Sequence, residues 1–115
     1  MERKMNIYDT ANKLAYEIKE SIEYKKFKEL KEEIAKDEKV SQRIQEFEKM
    51  RYEVQLASIQ GLEQENEKAM ELQKMYVELI QDEKVREYFE VELKFNVILT
   101  DINKIIGEAV EDVLK

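Results

Sequence analysis

Nucleophilic catalysis needs a hydroxyl or thiol beside a base, most often histidine. The sequence offers Ser21, Ser41 and Ser58 but has no histidine and no cysteine. Ser21 and Ser41 fall near predicted helix starts, where a serine ordinarily caps backbone N–H groups. Glu29, Glu32 and Glu33 lie within one helical turn, as do Glu87 and Glu90. That spacing resembles helical di-metal sites, which draw on Glu-x-x-His pairs projecting into a core. Without histidine, and with these glutamates on polar faces, solvated helix surface is the better reading, and no metal is expected. Gly61 and Gly107 are the two glycines, too isolated to make a phosphate-cradling loop. Tyr8, Tyr16, Tyr24, Tyr52, Tyr76 and Tyr88, with five methionines, recur at helical spacing. Such residues are more often core or partner surface than a ligand pocket, so no cofactor and no enzymatic activity are expected.

The remaining candidate is electrostatic. Lys25, Lys26, Lys28 and Lys31 form one basic spot in a chain of net charge −7. Residues 1–36 carry nine Lys/Arg against eight Asp/Glu, whereas residues 37–115 carry eleven against nineteen. An acidic body repels phosphate backbones, which disfavours direct nucleic-acid binding. The four lysines are either a phosphate or RNA contact or a solvated face balanced by Glu29, Glu32 and Glu33; the second is favoured.

Side chains of this kind are positioned by helices. Charged residues make up 41% and hydrophobic ones 43%, with no proline. Regular apolar spacing at that hydrophobic content predicts folding rather than disorder. The last third dominates: Tyr88, Val91, Phe95, Ile98, Ile102, Ile105 and Ala109 recur at intervals of three and four, one seam of a helix. A helix of roughly 30 residues from Asp82 onward would reach about 45 Å, more than one short helix can cover. Gly107 interrupts that pattern, so either a partner backbone comes close there or the helix frays or bends.

Earlier segments supply the neighbours. Ile7, Ala11, Leu14, Ile18 and Ile22 predict a first helix capped by Asn6 or Asp9 and ending near Ser21. Phe27, Leu30 and Ile34 mark a second. Asp37-Glu38-Lys39-Val40 reads as an Asp-capped restart and recurs 45 positions on as Asp82-Glu83-Lys84-Val85. Leu30 and Ile34 then align with Met75 and Leu79, and Ile44 with Phe89, which favours one corner chemistry used twice. The third helix, about Glu38 to Gln60, carries Val40, Ile44, Phe47, Met50, Val54 and Ala57 on one stripe. A second stripe, Tyr52, Leu56 and Ile59, predicts that it is sandwiched between two neighbours. Gly61 is placed to end it. Leu62 to Glu67 reads as a hairpin tip, and a fourth helix follows to about Gln81 with Ala69, Leu72, Tyr76 and Leu79 on one stripe and Val77 and Ile80 beside it. So short a connection predicts antiparallel neighbours.

The expected fold is therefore all-α: a long antiparallel helical hairpin with short N-terminal helices packed on it, in a single domain over residues 1–115. No apolar run approaches the ~20 residues needed to span a bilayer, and the polar start has no signal core, so a soluble cytoplasmic protein without membrane association is expected. Tyr52, Leu56 and Ile59 are the candidate self-association surface and Lys25, Lys26, Lys28 and Lys31 the candidate basic contact face. A homo-oligomer, with a dimer favoured, and docking on other regulatory proteins are the expected partnerships.

The order of these pieces resembles a known family. Asn6-Ile7-Tyr8-Asp9-Thr10-Ala11 opens a short helix and Phe27-x-x-Leu30 follows. An acidic corner leads to Ile44-Gln45-Glu46-Phe47, a Gln-rich hairpin surrounds Gly61, and the last helix runs through Asp101-Ile102-Asn103-Lys104-Ile105-Ile106. Over roughly residues 6–114 the chain is similar to the YlbF/YmcA family of small helical proteins of Gram-positive bacteria, closest to its YheA-type branch. The resemblance implies an antiparallel helical hairpin and self-association. For the YlbF and YmcA members it further implies a regulatory role in a cytoplasmic complex with a third protein. That role concerns ribonuclease-dependent mRNA maturation, competence, sporulation and biofilm formation, so an RNA-associated regulator is the alternative function. Those complexes carry iron–sulfur clusters held by cysteines, and this chain has none.

Overall fold

The computed structural model describes residues 6–61 and 66–114. They form helices α1 (Ile7–Glu20), α2 (Ile22–Ala35), α3 (Glu38–Gln60), α4 (Asn66–Leu79), α5 (Glu83–Ala109) and α6 (Glu111–Leu114), with no strand among them.

Local chemistry sets each boundary. The Asn6 side chain accepts from the Tyr8 and Asp9 N–H groups at 2.9 and 3.4 Å and starts α1. Ser21 serves both sides of the next break. Its hydroxyl donates to the Ile18 carbonyl at 2.6 Å and accepts from the Tyr24 N–H at 3.1 Å, closing α1 and opening α2. Gly61 ends α3 at φ 73, a left-handed conformation that a Cβ would strain, and its N–H reaches the Ala57 and Ser58 carbonyls. The expected hairpin tip at 62–65 lies outside the described residues.

The two Asp corners are built alike. Before the first, Lys36 and Asp37 donate to Glu33 and Ile34; before the second, Gln81 and Asp82 donate to Glu78 and Leu79. Past each, Ser41 donates to the Asp37 carbonyl and Arg86 to that of Asp82, both at 2.9 Å. The carboxylates cap as expected: Asp37 accepts from Val40 at 3.2 Å, Asp82 from Lys84 at 2.9 Å and Val85 at 3.4 Å. Every one of these bonds has its counterpart 45 residues on except the Lys84 contact. The equivalent residues Ile34 and Leu79, and Ile44 and Phe89, are all buried. The protein uses one corner chemistry twice.

The chain divides into two compact units, with boundaries inside α2 and α5. The first spans Leu30–Glu90. In it α3 and α4 run antiparallel: Arg43 meets Glu78 at 3.4 Å, Phe47 meets Tyr76 at 6.0 Å between ring centroids, and Glu53 meets Lys68 at 3.6 Å. One number climbs as the other falls, as antiparallel pairing requires. The start of α5 closes on this pair. Phe89 lies 5.4 Å from Phe47 and 5.6 Å from Tyr76, stacked on the latter, and Tyr88 lies 5.7 Å from Phe89. Arg51 covers the Phe47 ring at 5.5 Å. Leu30 and Ile34 of α2 complete the buried set, and Glu33 pairs with Lys84 at 3.7 Å.

The second unit combines the described residues up to Glu29 with those from Val91 on. Tyr24 and Phe27 each approach Phe95 at 5.8 Å. None of its described residues is buried. Along the α5 seam Tyr88 is buried and Val91, Phe95, Ile98 and Ile102 are half-buried, whereas Ile105 is 66% exposed and Ala109 is exposed. Around Gly107 there is open space rather than a neighbouring backbone. The helix instead tightens and stops, with Val110 donating to the Gly107 carbonyl and α6 starting at Glu111. The last helix thus breaks at Val110, and α4 ends at Leu79, two residues earlier than expected.

Asp37→Ala and Asp82→Ala should each destabilise by ~1 kcal/mol, because each strips an acceptor from orphan N–H groups. The denaturant midpoint measures this, and the closely matched bond sets predict similar losses at the two sites.

Candidate interaction surface

The three residues of the second α3 stripe lie together on one exposed face. Tyr52 is 65%, Leu56 41% and Ile59 84% exposed. The opposite side of α3 carries the buried Ile44, Phe47 and Ala57, with Val40, Met50 and Val54 half-buried between them. The helix is therefore covered on one face within its unit, and the row read from the sequence as a self-association surface is exposed. Large apolar side chains gathered on one exposed face are the usual mark of an interaction site.

A feature that sequence reading missed continues this face toward the start of α3. A cavity of about 190 Å³ opens between α2, α3 and the start of α5. Ile34, Ala35, Ile44 and Tyr88 supply its apolar wall, and Lys31, Ser41, Gln45 and Glu48 its polar rim. The four rim side chains make no hydrogen bond or ion pair among the described residues. The signal was present in the spacing: Ser41, Gln45 and Glu48 fall on the same helical face as Tyr52, Leu56 and Ile59. Being polar, they did not register as a stripe.

The basic candidates are less unified. Lys25 and Lys28 are exposed, but Lys25 is held by Glu20 at 3.3 Å. Lys26 is half-buried and engaged, and Lys31 belongs to the cavity rim. The glutamates weighed as metal ligands are scattered among surface roles. Glu33 pairs with Lys84, Glu87 is engaged, and Glu29, Glu32 and Glu90 are exposed. No group of three or more potential ligands among the described residues could hold a metal ion. An iron–sulfur cluster does not fit this chain, which lacks the thiolates to hold one.

The two Asp corners border a second cavity, of about 210 Å³, lined by Glu33, Ile34, Asp37, Val40, Asp82, Lys84 and Val85. Both aspartates are spent on helix caps there, so the cavity reads as corner packing. No helix among the described residues is long and apolar enough to cross a membrane.

The fold defines an all-helical protein, with six helices and no strand among the described residues. The chain belongs to the YlbF/YmcA family, described as control of competence regulator ComK, whose signature matches residues 7–111. It is similar to a UPF0342 protein of Caldicellulosiruptor saccharolyticus, 41% identical over 106 residues covering 92% of this chain and 88% of that one. A UPF0342 protein of Desulfitobacterium hafniense is 40% identical over 110 residues, covering 96% and 89%. One from Symbiobacterium thermophilum is 40% identical over 105 residues, covering 91% and 94%. No solved structure gives a significant match.

Phe89→Ala should cost about 3–5 kcal/mol, because it empties the centre of the α3–α4–α5 aromatic cluster. A thermal or denaturant unfolding curve reads this loss. Tyr76→Phe keeps the ring stack and should change stability by far less.

Proposed function

We propose that this protein is a non-enzymatic regulator that acts by self-association and by docking on other proteins, most simply as a twofold dimer in the cytoplasm. The observation that carries this reading is the exposed row Tyr52, Leu56 and Ile59 on a helix whose other face is packed. A twofold dimer is the commonest way to cover such a row, since one surface serves both chains. Burying these three side chains contributes roughly 1.5–3 kcal/mol each before the cost of association. Family membership supports a regulatory role, and control of competence is the process that the family's description supplies. The sequence brings no histidine or cysteine to any nucleophile, which supports a non-catalytic role with no cofactor.

Leu56→Glu should shift the protein toward monomer while its helical circular dichroism stays unchanged. Sedimentation equilibrium on wild type and variant decides it. A wild type that stays monomeric through the micromolar range overturns self-association. A variant that dimerises like the wild type moves the interface elsewhere.

A further inference from the structure

The exposed face of α3 has two unlike halves. Its C-terminal half presents the apolar row; its N-terminal half borders the 190 Å³ cavity, floored by Ile34, Ile44 and Tyr88. Positions 41, 45, 48, 52, 55 and 59 on this face are spaced 4, 3, 4, 3 and 4. That interval keeps all six on one face of the helix, and it reads the same from either end. A second α3 laid antiparallel across the first therefore meets it position for position, about an axis beside Met50.

We propose that the cavity is the socket for the apolar row of a second copy of this chain, the two α3 helices pairing antiparallel so that each fills the other. The proposal rests on the self-association reading and deepens it by assigning the receptor and the register. Ile59 of one copy then enters the cavity beside Ser41, and Tyr52 stands over Glu48. The chemistry matches at each level. The Tyr52 hydroxyl donates to the Glu48 carboxylate, two groups that have no hydrogen bond or ion pair among the described residues. Gln45 meets Gln55, and their amides can each donate and accept. Lys31, on the rim next to Ser41, comes to the C-terminal end of the second α3. There Gly61 engages the Ala57 and Ser58 carbonyls. Those of Ile59 and Gln60, past them, carry the negative end of the helix dipole, which a lysine complements. A lone occupant of other chemistry would have to supply all of these in the same order.

The chain has no cysteine, so single thiols report the register without background. Glu48→Cys chains mixed with Tyr52→Cys chains and oxidised should give the covalent heterodimer in excess over both homodimers. Ser41→Cys mixed with Ile59→Cys should do the same. From the socket side, Ser41→Arg should weaken dimerisation by about tenfold or more, as sedimentation reads it, with helical content unchanged. Gln45→Arg serves if Ser41→Arg loses its helical signal. A dimer whose mixed thiols link no better across than within variants overturns this pairing and leaves self-association standing. A dimer unaffected by the socket variants does the same. A monomeric wild type overturns both.

Discussion

The cluster of Phe47, Tyr76 and Phe89 is the interaction on which the Leu30–Glu90 unit depends. Each ring comes from a different helix, α3, α4 and α5, and all three centroid distances fall between 5.4 and 6.0 Å. Such contacts add specific geometry to large apolar burial, so three helices are fixed at one point. The corners make that meeting possible. Asp82 caps α5 seven residues before Phe89, and Asp37 caps α3 ten residues before Phe47, so both rings stand at set distances from a sharp turn. The ion pairs beside them, Arg43–Glu78 and Lys68–Glu53, join exposed side chains and contribute register more than stability.

All nine hydrophobic residues that are buried among the described residues belong to the Leu30–Glu90 unit. In the other unit Tyr24, Phe27 and Phe95 touch, yet each keeps part of its surface in solvent. Exposed apolar side chains are thus a property of this fold, and on the proposed reading the α3 face is covered by its own counterpart in a second copy. On the proposed reading, regulation by this protein is a matter of which faces are occupied and by whom. On that reading its chemistry is burial and hydrogen bonding.

Much of this was legible in the sequence, because the governing interactions are local. Asn6, Ser21, Asp37, Asp82 and Gly61 each satisfy backbone groups within four residues of themselves, so their types and positions sufficed to place the breaks. The inward stripe of α3 followed from spacing alone. What spacing cannot reveal is how many neighbours a helix obtains. The Tyr52 row is exposed within the chain, as its reading as a self-association surface requires, whereas Ile105, expected on a packed seam, is exposed as well. The cavity beside Ser41 was illegible for another reason: its wall comes from α2, α3 and α5, and its rim is polar. The break at Val110 was half visible, since Gly107 marked a weak point without saying whether a neighbour or a kink would answer it.

On the proposed reading the exposed α3 face is covered in solution, and two tyrosines offer a matched comparison. In the single chain Tyr52 is 65% and Tyr16 62% exposed. Hydroxyl-radical footprinting across a dilution series measures how each one reacts. The account predicts that Tyr52 is protected relative to Tyr16 at high concentration and becomes equally reactive on dilution. Equal oxidation of the two tyrosines at every concentration would contradict it.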